Sequence, residues 1–596
     1  MSAQATSQDA REHKPYHDRG NEFRRKSSQY SYPTAGDWGE SSRPNTSYDT
    51  LYDALWNAKV SYNESEANRF IPFDRLHVAK DRGLVEKALE DGHTPKDQIP
   101  GLVAKICSDD TQPNGVSFFR IFAVLVLCEK TKFIHKFVER EINDSHLPLP
   151  KAEINGGVIA FINHRHNSEV SEQDLAYIFG NGSEWRQPAL NAFNLYQWWA
   201  NAPFFDRPDG VIPHYLLEAS DVLPLIERRT HPDLDELHPD VRELVLEGGF
   251  GDVFIAKLHQ SHYNIKNEAY DSPSQSFAIK RLKSSNENEF KQEVDALKKH
   301  NYSITNHLIP LLATIEKVQV NGAVQYYFLF PKANGDLRYL WRTKFGASPG
   351  KILEQWTAGQ CLGLSRALSM LHHDQTVGGR DNQPIYGRHG DIKAANILWF
   401  SKSRDSGPEG WRLVLSDFGL MRFHRVFSIS AETAGRLKKT LTYQAPEFEI
   451  RRAKVSRKSD IWAFGCTLLE FATCYISGFQ AAEEEFPSAR AMSDRRLEKV
   501  SEDKFYRMTD DGEGAELKPG VRDWIARLRN HSRCSGFFRD FLDLIEHRML
   551  LVEVDQRPTA FEVSKTLEAL IERYWRLSPG NVSIEQEMAR WQGLHA

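Results

Sequence analysis

Two carboxylates, an amide and a lysine fall close together in His389-Gly390-Asp391-Ile392-Lys393-Ala394-Ala395-Asn396 and in Ser416-Asp417-Phe418-Gly419. An aspartate on such a loop can orient and deprotonate a hydroxyl, while Asn396 and Asp417 offer hard oxygen ligands of the kind that hold Mg²⁺ on phosphates. Upstream, Leu246-Glu247-Gly248-Gly249-Phe250-Gly251-Asp252-Val253 reads as a strand, a tight glycine turn and a returning strand, where absent side chains let backbone amides approach phosphate oxygens. Phe277-Ala278-Ile279-Lys280 is an apolar strand ending in a lysine that needs a polar destination. Glu293 borders the apolar face made by Phe290, Val294 and Leu297, on a helix that Ser284 and Glu287 are spaced to cap, and from there it can reach inward to Lys280. Each feature alone has a bland explanation, since many hairpins hold glycines and a lysine at a strand end can snorkel to solvent. Their conjunction points to phosphate chemistry.

These residues need strands and helices to position them. After about residue 240 the chain has short β-rich runs, including Val318-Gln319-Val320-Asn321-Gly322-Ala323-Val324, where Asn-Gly suits a hairpin with a type I′ turn. Beyond Gly335 the periodicity becomes helical, with Leu353, Trp356, Gln360, Leu364, Leu368 and Leu371 on one stripe. A small β-rich lobe followed by a larger α-rich lobe is expected, an α+β arrangement. Surface loops are expected at 259–275 and 374–386, where length adds little entropic cost.

The preceding half has a different texture. Before Leu51 there is no Leu, Ile or Val, so residues 1–48 are expected to form a disordered tail, which carries the basic run Arg24-Arg25-Lys26 before Ser27. Phe133, Ile134, Phe137, Val138 and Ile142 give 49–150 a helical period, and 151–239 is rich in aromatics such as Trp185, Phe193 and Trp199, which read as core. The catalytic unit is expected over 240–575, with a tail at 576–596.

Composition excludes several classes. The 596 residues carry 76 Lys plus Arg against 81 Asp plus Glu, without a basic stripe, so no nucleic-acid partner is indicated. The longest apolar run, Ile121 to Cys128, is far short of the roughly 20 residues a membrane span needs. The first residues are not a secretory signal, and the 6 cysteines include no C-x-x-C pair, so an intracellular location, cytoplasmic or nuclear, is expected.

The motifs, taken in order, resemble the eukaryotic protein kinase family, whose series runs glycine loop, Ala-x-Lys, helix Glu, H-R-D-x-K-x-x-N, D-F-G and A-P-E. Thr440-Leu441-Thr442-Tyr443-Gln444-Ala445-Pro446-Glu447, Ser459-Asp460-Ile461-Trp462-Ala463-Phe464-Gly465 and Asp555-Gln556-Arg557-Pro558 match its later segments. The resemblance implies a bilobal kinase fold using ATP and Mg²⁺ on protein substrates. It assigns Leu246, Gly248, Gly249, Phe250 and Gly251 to the loop over the phosphates, Val253 and Ala278 to the adenine pocket, and Lys280 with Glu293 to the α and β phosphates. Asp391 is then the base, Lys393 neutralises the transferred phosphoryl group, and Asn396 and Asp417 hold Mg²⁺. Lys393 and Thr440 resemble the serine/threonine branch; a pseudokinase scaffold is the alternative. Two positions depart from the family. Leu246 replaces the first loop glycine, and Gly390 replaces the arginine that couples loop phosphorylation to activity. The stretch 49–235, with Arg120-Ile121-Phe122-Ala123-Val124-Leu125-Val126-Leu127, Leu147-Pro148-Leu149 and Gln197-Trp198, resembles the helical region preceding kinase domains in some filamentous-fungal proteins. It is expected to bind a regulatory partner.

Overall fold

A computed structural model describes residues 48–575 apart from 64, 109–115, 150, 155–157, 162–169, 181–183, 208–210, 230–250, 266–275, 284, 302–306, 347–349, 374, 378–383, 404–405, 418–440, 493–502, 510 and 512. The expectations placed on residues 1–47 and 576–596, and on Leu246, Gly248, Gly249, Phe250, Ser284, Phe418, Gly419 and Thr440, lie outside the described residues.

The N-terminal region is helical: α1 Leu51–Ala58, α2 Phe73–Ala79, α3 Arg82–Asp91, α4 Ile99–Ile106, α5 Phe119–Leu127, α6 Ile134–Glu139, α7 Glu172–Phe179 and α8 Gln187–Trp199. The short strands β1 Lys151–Ile154 and β2 Val158–Phe161 pair between α6 and α7. One apolar cluster runs from Leu51 through Phe137 to Phe193 and Ala200, with members on both sides of the division expected at 150/151. Within it the buried Gln197 exchanges two hydrogen bonds with the Leu149 backbone, at 2.7 and 2.8 Å. The Leu147-Pro148-Leu149 and Gln197-Trp198 motifs therefore meet.

The short β3 Phe205–Asp206 leads to β4 His214–Leu217 and β5 Leu225–Arg229, and both of these strands join the small-lobe sheet. The other strands are β6 Gly251–Leu258, β8 Ser276–Leu282, β9 Ala313–Val318 and β10 Val324–Pro331, in the order β4-β9-β10-β8-β6-β5. A flat six-stranded sheet would hold its edge strands roughly 24 Å apart. Here residues 218–224, including a turn closed by Asp221 N donating to Glu218 O, join one edge to the other, so the sheet is strongly curled. Strands β4 and β5, from before residue 240, thus share one sheet with the strands that follow it. Of the expected strand, glycine turn and returning strand, only the returning strand, β6, lies within the described residues. Among the described residues β5 pairs with β6, Arg229 opposite Ile255.

The β9–β10 hairpin forms as expected, but its turn differs. Gly322 N donates to Gln319 O and Gln319 N to Ala323 O, and Gly322 alone has positive φ, at 79°. A type I turn closed by a left-handed glycine bridges three residues, whereas type I′ would also need Asn321 at positive φ. The expected loop at 259–275 is partly built into the fold: β7 Tyr263–Asn264 pairs with β3, and the fully buried His262 stacks on Phe73 at 4.0 Å. The stretch 374–386 likewise holds a small hairpin, β12 Gln375–Val377 with β13 Pro384–Tyr386.

The small lobe also carries the helix α9 Glu287–Asn301. The large lobe contains β11 Gly335–Asp336, α10 Leu337–Lys344, α11 Lys351–His373, the hairpin β14 Ile397–Ser401 with β15 Trp411–Leu415, and α12 Lys458–Ser477. It ends in α13 Phe486–Met492, α14 Pro519–Arg529, α15 Gly536–Leu544 and α16 Ala560–Trp575. The expected stripe on α11 is buried from Leu353 to Leu371. None of the helices among the described residues is long and apolar enough to cross a membrane.

Candidate active site

Alternation along the sheet separates core from site. Phe254, Ala256, Leu258, Phe277 and Ile279 belong to one buried cluster. Val253 pairs with Lys280 and Ile255 with Ala278, which places these four on the opposite face. Val253, an apolar side chain left 45% exposed, suits the flat surface of a base. Lys280 is only 8% exposed, and its Nζ lies 2.9 Å from Glu293 Oε1 and 3.0 Å from Asp417 Oδ1. Burial disfavours the ammonium, but the Asp417 and Glu293 carboxylates more than offset this and raise its pKa. In return, Lys280 holds the Asp417 carboxyl below its usual range against the effect of burial. Phe290, Val294 and Leu297 form the buried face of α9, as their spacing indicates. The cap seen on that helix is Asn286, whose Oδ1 accepts from Asn288 N at 2.9 Å.

The large-lobe residues sit on the loop entering β14. Asp391 Oδ2 accepts from Lys393 Nζ at 2.7 Å and from Asn396 Nδ2 at 2.8 Å. Asn396 Nδ2 also donates to the Asp391 carbonyl, which leaves its amide Oδ1 as the acceptor it can offer a cation. Asp460 on α12 grips the loop from below, accepting from His389 N at 2.8 Å and Gly390 N at 2.9 Å. His372 Nε2 donates to the same carboxylate at 2.9 Å. Burial opposes ionisation of Asp460, but His372, His389 and the Gly390 amide together hold its pKa down. Gly390 has φ 84°, a left-handed conformation that costs a glycine nothing and an L side chain strain. Asp417 adopts φ 63° without that licence, the kind of backbone strain that clusters at functional sites.

Six of the expected site residues, Lys280, Glu293, Asp391, Lys393, Asn396 and Asp417, thus form two linked groups. A sequence profile of the protein kinase domain matches residues 247–567, more than half of the chain. The chain belongs to the protein kinase family. Among curated relatives it is 26% identical to the serine/threonine-protein kinase ppk13 of Schizosaccharomyces pombe over 260 residues, 38% of this chain and 70% of that one. It is 26% identical to the proline-rich receptor-like protein kinase PERK8 of Arabidopsis thaliana over 271 residues, 44% and 33% of the two chains. With the cysteine-rich receptor-like protein kinase 25 of the same plant it shares 32% over 235 residues, 38% and 28%. The matches thus span about a third of these plant relatives.

The kinase domain has a further anchor outside these two groups. Arg557 holds Glu447 through two bonds of 2.9 and 2.8 Å, with both side chains fully buried. This pair fixes the Ala445-Pro446-Glu447 corner to the start of α12, where Arg557 also donates to Lys458 O. His372 was not singled out in the sequence, although it lies one residue beyond the Leu371 stripe of α11. A buried position at a helix end next to a functional loop was the available signal.

Proposed function

We propose that this protein kinase is active and transfers the γ-phosphate of ATP to Ser and Thr hydroxyls of protein substrates. The observation that carries the reading is the completeness of the reacting set: no charged group the transfer needs is missing from the two clusters. The donor set suits Mg²⁺, with Asp417 a carboxylate kept ionised by Lys280 and Asn396 turned to offer its carbonyl oxygen. Bound Mg²⁺ would neutralise phosphate charge. Lys280, positioned by Glu293, binds the α and β phosphates. Asp391 orients the acceptor hydroxyl and takes its proton, and Lys393 steadies charge on the transferred group. The family resemblance assigns Leu246, Gly248, Gly249, Phe250 and Gly251 to the phosphates and Val253 and Ala278 to the adenine.

Serine/threonine specificity is supported by Lys393 beside Asp391 and by the likeness to ppk13, which bears that name. Leu246 and Gly390 favour the alternative of a pseudokinase scaffold; Leu246 lies outside the described residues, and the φ of 84° at Gly390 gives glycine there a conformational reason. An intracellular location, cytoplasmic or nuclear, belongs to the same reading, as does a regulatory partner for 49–239. The resemblance of that region to fungal proteins rests on its residues alone, because the kinase profile begins at 247. The test is purified protein with Mg-ATP and a peptide library, analysed by mass spectrometry. Phosphoserine and phosphothreonine are expected. Absence of transfer would leave the scaffold, and phosphotyrosine as the main product would overturn the specificity.

A further inference from the structure

The helix that delivers Glu293 is held from a segment lying before the kinase-profile span. Strand β4 runs parallel to β9 along the edge of the sheet, pairing His214 with Thr314. The His214 ring lies 5.7 Å from the Phe290 ring of α9, and Phe290 stacks on Tyr326 at 4.2 Å on β10. Two residues earlier Ile212, 3% exposed, belongs to the buried cluster that contains Phe290 and Val294. The His214 ring is itself oriented by Nδ1, 2.9 Å from Thr314 Oγ1, and by Nε2, 3.6 Å from Glu316 Oε2.

We propose that residues 211–217 are a built-in brace for α9, with Ile212 and His214 as positioning residues that set Glu293 against Lys280 through Phe290. Phe290 and Glu293 are neighbours at i, i+3 on one helix, so a shift of the ring carries the carboxylate with it. On its other side α9 exposes Glu287, Asn288, Lys291 and Asp295. The brace is fixed at its far end. Lys317 donates to the carbonyls of Glu218 and Asp221 in the turn after β4, and Tyr215 bonds the Asp206 backbone at 2.8 and 2.9 Å. Its chemical consequence follows from Lys280 having two carboxylates in reach. If α9 moves out, Lys280 retains Asp417 alone, which ties up the carboxylate assigned to the metal.

This proposal rests on the kinase reading, and its test separates the two. In the full-length protein, His214→Ala should lower kcat/KM for ATP at least tenfold, and His214→Phe, which keeps a ring on Phe290, should restore it to within threefold. In a Glu293→Gln background, His214→Ala should change kcat/KM less than twofold, because the residue it acts through is already lost. A loss equally large in both backgrounds overturns the brace. Hydrogen exchange over residues 287–301 needs no turnover: it should quicken at least fivefold in His214→Ala and remain near wild type in His214→Phe. Unchanged exchange also overturns the brace, even if the wild-type protein transfers no phosphate and the kinase reading itself has failed. Should His214→Ala not fold, His214→Leu, which keeps most of the volume but no ring, takes its place in both experiments.

Discussion

Asp391 and Asn396 lie on a loop whose backbone amides are gripped by a buried carboxylate, whereas Lys280 is placed by two carboxylates arriving from other elements. In the large lobe Asp460 bonds His389 N and Gly390 N directly, and α12, which carries it, is buried from Ser459 to Ile476. In the small lobe the position of Glu293 depends on packing along α9, and that of Asp417 on the end of β15. One half is set by short-range hydrogen bonds to the main chain. The other is conditional on contacts with segments as distant in sequence as Ile212. A modest movement of α9 would therefore take Glu293 from Lys280 and leave it Asp417 alone.

The largest expected effects remove charge from each half without touching the core. Asp391→Asn and Asp417→Asn should each lower kcat by about 10²–10⁴-fold, the range for a lost general base or metal-binding carboxylate. Their melting temperatures should stay close to wild type, and near-normal turnover in either would show that the carboxylate has no part in transfer. Next comes the large-lobe anchor. Arg557→Met leaves the fully buried Glu447 carboxylate without its partner and should cost about 3–5 kcal/mol in chemical denaturation. Adding Glu447→Gln should recover part of that loss. A double variant no more stable than Arg557→Met would mean that the carboxylate charge is not the source of the penalty.

Smaller again is the change that probes how finely the loop is set. Gly390→Ala forces a Cβ into φ 84° and should destabilise by about 1–2 kcal/mol. If the grip of Asp460 keeps the loop in place, kcat should fall less than tenfold, far less than in Asp391→Asn. A loss as large as that of Asp391→Asn would show the loop to be no more rigid than the small-lobe half.

How far the sequence could be read divides along the same line. Asp391, Lys393 and Asn396 lie within six consecutive residues, so local spacing was enough to place them together. Lys280, Glu293 and Asp417 are far apart, but each sits in a segment with its own strong pattern. Residues 212–229 had no such pattern. The strands β4 and β5 have only 4 and 5 residues, too short for alternation to stand out, and their partners are β9 and β6, beyond the glycine cluster. Parallel pairing of an edge strand is a long-range choice made by the whole sheet. His262 was equally hidden, because a lone buried histidine in what read as a surface loop shows its role only once Phe73 is beside it.

The smallest expected effect tests the turn that ties the sheet edges together. Asp221 is half-buried there; its side chain accepts from Glu218 N at 2.7 Å, and Lys317 and Glu218 are the charges that face it. Burial pushes its pKa up to about 7 from the ordinary value of 3.8, while the Glu218 amide and Lys317 pull it down. The folded state therefore holds this proton more tightly than the unfolded chain does. Between about pH 4 and 7 the folded form binds more protons, so stability declines as pH rises, and the loss persists above 7. Asp221→Asn keeps an acceptor for the amide and removes the titration. It should match wild type near pH 4 and exceed it by about 1 kcal/mol at pH 8, less than the full shift implies because Asp221 is only half-buried and solvent screens its charge. Denaturation curves at the two pH values decide the point. If the variant is weaker at pH 8, the Asp221 carboxylate is favoured in the folded state by its pairing with Lys317, and its pKa there is not raised.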